Sequence, residues 1–337
     1  MSAAEEIVAE GQAVEAVPKR AMTLGTGTSL LVLAVLLLVP LVVKNFIIFQ
    51  LTMLLIYGVA VLALNILTGG SGQFSLGQSA FYAIGAYTSA ILMETFNVNY
   101  ALTLPVAGIV CFAVGFLFGL PALRLSGVYL ALATFALATA MPQLLKLGYF
   151  EPWTGGVQGL VVDKPDAPFG LPISQDMWLY YFTLVITIAI YVASINLLRS
   201  RSGRAFMAIR DNEIAASAMG VNVSLYKTLA FGVTAGITGV AGALGAIAVQ
   251  FVAPDSYTIT LAISLFLGMV VGGVGWLPGS FVGSAFIIFV PNMAESVSKG
   301  LSGAVFGVLL FLVIFLIPHG ARQIAIVGQQ LAARLRR

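Results

Sequence analysis

Ten apolar runs of 15 to 24 residues, parted by short polar segments, restrict this chain to very few folds. They fall at about 28–44, 46–67, 76–94, 101–123, 127–147, 177–198, 227–250, 260–275, 279–293 and 303–319. A helix of about 20 apolar residues matches the hydrocarbon thickness of a bilayer. Lipid offers backbone groups no water, so a spanning segment must satisfy its own hydrogen bonds, as a helix does. With 60% apolar residues and only 9% Asp, Glu, Lys or Arg, the chain has too little charge to cover a soluble surface. Several runs are short or interrupted by Gly and Pro. The expected fold is an all-α polytopic membrane protein with about 8–10 transmembrane helices.

The basic residues give this fold a direction. If ten spans put both termini on one side, twelve Lys and Arg lie there: Lys19, Arg20, Arg124, Arg199, Arg201, Arg204, Arg210, Lys227, Arg322, Arg334, Arg336 and Arg337. The other side keeps four, Lys44, Lys146, Lys164 and Lys299. Cytoplasmic loops are enriched in Lys and Arg, so both termini are expected in the cytoplasm. The net charge of +3 is explained by this orientation and does not suggest nucleic-acid binding. Residues 1–21 place Glu5, Glu6, Glu10 and Glu15 before Lys19 and Arg20, the wrong order for a cleaved signal peptide. They are expected to form a flexible cytoplasmic tail, followed by a membrane domain over 22–320 and a basic cytoplasmic tail over 321–337. Loop 148–176, with four prolines, five glycines, Glu151, Asp163 and Asp166, is too polar to span and is assigned to the outside. Such a loop is either a contact surface or a slack connector; contact is the favoured reading.

Much chemistry is missing. One cysteine, Cys111, and one histidine, His319, leave no disulfide framework, thiol metal site or Ser/His/Asp set. No GxxxxGK[ST] loop is present, so ATP cannot bind in the P-loop manner, and no catalytic role is expected. Glu94, Arg124, Lys146 and Asp255 all sit at predicted span ends, where long side chains reach water. A carrier driven by protons or sodium commonly holds an acid at mid-membrane, and none is evident. The pairs Gly115/Gly119, Gly232/Gly236, Gly268/Gly272, Gly279/Gly283 and Gly303/Gly307 have GxxxG spacing, expected to let helix backbones approach closely.

Two stretches break the apolar pattern. Residues 65–88 read NILTGGSGQFSLGQSAFYAIGAYT. Non-helical backbone at membrane depth is tolerated where it is buried in protein or lines a water-filled cavity, and a broken helix offers free N–H groups. Gly69, Gly70, Ser71, Gly72, Gln73, Ser75, Gly77 and Gln78 are thus candidate residues of a broken or re-entrant substrate pathway. An ordinary turn between spans explains the pattern as well. A weaker echo, GGVGWLPGSFVGSAF at 272–286, differs in spacing: the serine stands seven positions after the last glycine of GGxG in the first copy and nine in the second. The second stretch, Arg199 to Lys227, carries five of the sixteen basic residues. Its middle reads as a short cytoplasmic helix, capped by Asp211 or Asn212, favoured by Glu213 in the first turn and stopped by Gly220.

Three segments give the chain a family likeness: LTGGSGQFSLGQSAFYAIGAYTSAIL at 67–92, LRLSGVYLALATFALA at 123–138 with WTGGVQGL at 153–160, and GRAFMAIRDNEIAASAMGVNVSLYKTLAFGVTAGITGVAGAL at 203–244. The sequence resembles the membrane permease subunits of branched-chain amino acid ABC importers, particularly the LivM type. That resemblance implies an inner-membrane permease of a bacterial importer for branched-chain or related amino acids. Its partners would be a second, paralogous permease, two cytoplasmic ATPases that bind ATP and Mg, and a periplasmic solute-binding protein. It also implies that a cytoplasmic coupling helix docks on an ATPase, with Gly203, Arg204, Arg210, Asp211, Asn212, Glu213, Ala216, Met219 and Gly220 as its residues. One departure is Gln78, where many relatives are expected to carry His. A pathway contact there implies a substrate such as urea, a short amide or an aromatic acid. An ion-coupled secondary carrier is the alternative from another class.

Overall fold

The computed structural model describes residues 34–123, 125, 127–167 and 173–297, together with 307, 308, 311 and 315. The expected tails at 1–21 and 321–337, most of the last apolar run, Arg124, Lys299, Gly303 and His319 lie outside the described residues. Eight of the ten apolar runs, from 46–67 to 279–293, become helices within a few residues of their expected bounds. These are α1 Asn45–Asn65, α2 Gln78–Glu94, α3 Tyr100–Ala122, α4 Val128–Leu145 and α5 Gln175–Arg199. After a polar loop that forms α6 Arg201–Asp211 and α7 Glu213–Ala218 come α8 Val223–Val249, α9 Ile259–Gly272 and α10 Gly279–Val297.

Six helices among the described residues are long and apolar enough to cross a membrane. Helix α2 has 17 residues and is less apolar than these six, and the apolar part of α10, Gly279–Met293, falls short by length. Both run beside the longer helices, so the described part of the bundle matches an all-α polytopic membrane protein with further apolar runs at either end. Helices α8 and α2 form its centre, and α8 packs most extensively on α3 and α2. Nearly every residue of α8 from Thr228 to Ala248 is sheltered from the outside of the bundle.

Small residues make this centre possible. Side chains of Gly115 and Gly119 on α3 would collide with Ala235 and Thr228, and side chains of Gly232 and Gly236 on α8 with Phe112 and Gly108. The two GxxxG pairs therefore face one another. A second weld joins α9 to α10, where Gly268 and Gly272 lie against the backbones of Gly283 and Gly279. Lipid tails are as apolar as leucine, so close van der Waals packing rather than burial from water holds such pairs together. Towards one end, tyrosines fill the core: the rings of Tyr57, Tyr82 and Tyr257 follow one another at 6.2 and 5.8 Å, and Tyr87 meets Tyr257 edge-on at 6.2 Å.

The two ends differ in character. At the tyrosine end, the described part of loop 148–176 is anchored. Leu160–Val161 (β1) pairs antiparallel with Phe251–Val252 (β2), and Lys146 binds Asp255 at 2.5 Å. Lys164 pairs with Asp176 in the same loop, and the indole of Trp178 donates to the Tyr100 hydroxyl at 3.1 Å. The opposite end gathers the break after α1, the α6–α7 loop and the α9–α10 turn.

Candidate functional site

Helix α1 does not end as an ordinary α-helix. Its last turn, Ile66–Gly70, widens to a π-helix, and the chain then runs unwound to Gly77 before α2 begins. Single π turns are rare and recur at functional positions, because they disturb the regular i→i+4 bonding and free carbonyl groups for other donors. Ser71 Oγ donates to the Leu67 carbonyl at 2.7 Å, and Gln73 Nε2 donates to Ser71 Oγ at 2.9 Å. Ser75 Oγ receives the Gly77 N–H, and Thr134 on α4 receives the Leu76 N–H at 2.9 Å. The broken backbone is thus satisfied by protein groups, as membrane depth requires.

The structure brings all eight candidate pathway residues together at this end. Gly69, Gly70, Ser71, Gln73, Ser75, Gly77 and Gln78 are buried, and only Gly72 is exposed. They are packed in protein; the space beside Gly69 and Gly70 amounts to about 10 Å³. Gln78, 1% exposed, accepts a hydrogen bond from Thr238 Oγ1 at 2.7 Å, while its Nε2 has no partner among the described residues. Turning the amide over would leave its oxygen unpaired instead, so one polar atom stays unsatisfied either way.

A larger space lies elsewhere, at residues that no sequence pattern marked. A groove of about 360 Å³ opens between α1, α9 and α10. Its walls are mainly apolar, with Met53 and Ile287 among them, and its polar groups are Gln50, Tyr57, Ser264 and Asn292. That volume is within the roughly 300–1,000 Å³ of small-molecule sites, and a few polar groups on apolar walls is their usual make-up.

The expected coupling helix is two helices. Ser200 caps α6 by accepting the Gly203 N–H, and Asn212 caps α7 by accepting the Ala215 N–H at 2.9 Å. The second cap is Asn212, because Asp211 is taken by the Arg210 guanidinium at 2.7 and 2.9 Å. Gly220 follows with φ +83°, the left-handed stop its position required. The sequence reading missed α6, whose signals were Ser200 and the apolar face of Ala205, Phe206 and Ile209.

The candidate coupling residues divide by exposure. Gly203 and Ala216 are buried against the bundle, whereas Arg204, Arg210, Asp211, Asn212, Glu213, Met219 and Gly220 are exposed. Glu213 is bound to Lys227 at 2.6 Å, which ties α7 to the start of α8. The outward apolar groups are Ile214, 84% exposed and overlooked in the sequence, and Met219, 85% exposed. Both stand among polar neighbours on the loop between α5 and α8.

This loop also reaches the break in α1. Arg210 Nη1 donates to the Gly69 carbonyl at 2.8 Å, and Gln73 Nε2 donates to the Lys227 carbonyl at 3.4 Å. On its other side the break touches the α9–α10 turn through Asn65, whose Nδ2 donates to the carbonyls of Gly273 and Trp276 and to Ser280 Oγ at 3.3, 3.1 and 3.3 Å. Asn65 Oδ1 accepts the Gly275 N–H at 2.7 Å. The two glycine-rich stretches that echo one another in sequence are therefore in contact.

Comparison with known proteins places these features. The family model for the branched-chain amino acid transport system permease component matches residues 46–316. The high-affinity branched-chain amino acid transport system permease protein LivM of Salmonella typhimurium is 34% identical over 247 residues, covering 66% of this chain and 58% of its own length. LivM of Escherichia coli gives the same identity and coverage. The autoinducer 2 import system permease protein LsrC of Salmonella paratyphi B is 29% identical over 225 residues, covering 64% of this chain and 62% of its own. The chain thus spans 58% of the length of the LivM proteins it matches. No solved structure matches it.

Proposed function

This chain belongs to the branched-chain amino acid transport system permease family, and we propose that it is the membrane-spanning subunit of an importer driven by ATP hydrolysis on separate chains. The observation that carries this reading is the loop of α6 and α7, a capped, braced platform offering Ile214 and Met219 outward. Two cytoplasmic ATPases, holding ATP and Mg, would dock there. The absence of Asp, Glu, Lys or Arg from the fully buried side chains among the described residues supports an external energy source over an ion gradient.

The groove between α1, α9 and α10 is open along one side, and a second, paralogous permease would close it into a pathway. Its apolar walls suit the side chain of a branched-chain or related amino acid, and Gln50, Ser264 and Asn292 supply neutral polar contacts. A periplasmic solute-binding protein would deliver the solute at the end formed by β1, β2 and the anchored part of loop 148–176. In this reading the protein sits in a bacterial inner membrane with α6, α7 and both termini in the cytoplasm, a direction supported by the excess of Lys and Arg on that side. A closed ATPase pair moves the permease only if it binds one permease state better than the other.

A second reading concerns the solute. LsrC, by its name a permease for autoinducer 2, shares the family, and Gln78 with its unpaired amide atom differs from the His expected there. Urea, a short amide or an aromatic acid is therefore the alternative cargo.

The decisive test is association. The full chain, co-expressed with its ATPases, should retain them through purification, and I214D combined with M219D should release them while the permease remains in the membrane. Retention by the double variant would remove the docking assignment.

A further inference from the structure

A continuous set of contacts joins the docking loop to the three helices that line the groove. It starts with Arg210, the penultimate residue of α6. Asp211 Oδ1 takes both Nε and Nη2 of its guanidinium and so fixes the plane of the fork. Nη1 is then aimed at the Gly69 carbonyl, 2.8 Å away, and the side-chain stem lies along Gly72. Gly72 has φ +71°, and a Cβ there would sit 3.0 Å from Arg210 Cγ, so only glycine leaves the stem room without strain. A guanidinium bonded to a carbonyl is charge-assisted, and stronger than a neutral pair.

Gly69 passes the connection on. A Cβ on it would lie 2.5 Å from the Gly275 nitrogen and 2.9 Å from Asn65 Oδ1, so the π turn and the α9–α10 turn touch backbone to backbone. Asn65 locks that contact. Its amide orientation follows from its partners, since Nδ2 faces two carbonyls and Oδ1 faces an N–H. Beyond the turn, Gly268–Gly283 and Gly272–Gly279 weld α9 to α10, so the hairpin responds as one body.

We infer that Arg210 and Asn65 are positioning residues that transmit movement of the α6–α7 loop to α1, α9 and α10, and so set the width of the groove. This inference rests on the transport function proposed above. The loop cannot shift without drawing on the Gly69 carbonyl, and Gly69 cannot shift without carrying Asn65 and the Gly273–Gly275 turn. The π turn is the compliant joint, since its irregular bonding lets the inner end of α1 move without unwinding the helix above it.

The test uses the complete importer, permease pair, ATPases and binding protein, in proteoliposomes, and reads solute taken up per ATP hydrolysed. Arg210→Ala should lower that ratio at least about fivefold, the lower bound of typical coupling between sites. Arg210→Lys should recover part of the ratio, because an ammonium can still donate to Gly69 but cannot also form the fork on Asp211. Asn65→Asp keeps the acceptor for Gly275 and loses the donors to Gly273 and Trp276, and should lower the ratio similarly. A Ser264→Cys reporter in the groove should change its thiol-labelling rate on vanadate trapping in the otherwise native chain and not with Arg210→Ala added. A native ratio in Arg210→Ala or Asn65→Asp, or an unaltered labelling response, overturns the inference alone. Absence of ATP-driven uptake by the native importer overturns the transport function itself.

Discussion

At the scale of single residues, Asn65 shows how a membrane helix can break without leaving backbone groups orphaned. One carboxamide satisfies an N–H and two carbonyls of a turn more than 200 residues away in sequence. Replacing it with leucine, of similar size, strands those groups in a dry site. A buried unpaired polar group costs about 1–3 kcal/mol, so Asn65→Leu should lower the apparent melting temperature in detergent by several degrees. An unchanged melting curve would show that water reaches the turn. Gln78 is the converse case, a buried amide with one atom unpaired. Replacing it with methionine removes that atom but also strands the Thr238 hydroxyl, so Gln78→Met should cost less stability than Asn65→Leu, and an equal or larger loss would mean that the free atom has a partner in the assembled importer.

Elements show what the sequence reveals of its own accord and what it does not. The GxxxG spacings on α3, α8, α9 and α10 were legible because only small residues at that interval let backbones meet. They did not say which pairs meet, since Gly268 finds Gly283 through packing in three dimensions. Gly283→Leu should accordingly abolish a monodisperse peak in size exclusion, because its side chain has only the α9 backbone to occupy. A native profile would contradict the weld. The α6–α7 loop, the proposed docking surface, was half legible. Asn212 and Gly220 marked the ends of α7, but α6 was hidden, because Ser200 caps it directly after the apolar run of α5 and the chain reads as one span running into a loop. Exposure of Ile214 was not legible at all, as an isolated apolar residue in a helical pattern reads as core.

For the whole molecule, the order of apolar runs marked the spans, and the described helices follow it closely, while the bias of Lys and Arg carries the expected direction. The site was less accessible to sequence reasoning. The glycine break was visible, yet its residues are packed between the docking loop and the α9–α10 turn, whereas the groove is formed by helices far apart in the chain. Contact between the break and its echo at 272–286 joins the α6–α7 loop, the proposed docking surface, to the hairpin that walls the groove, and under that proposal uptake should follow ATP rather than an ion gradient. The most direct measurement is solute uptake into proteoliposomes holding the complete importer. Uptake should require ATP and the binding protein, and should persist when proton and sodium gradients are collapsed. Accumulation driven by a gradient, with neither ATP nor the ATPases present, would contradict it.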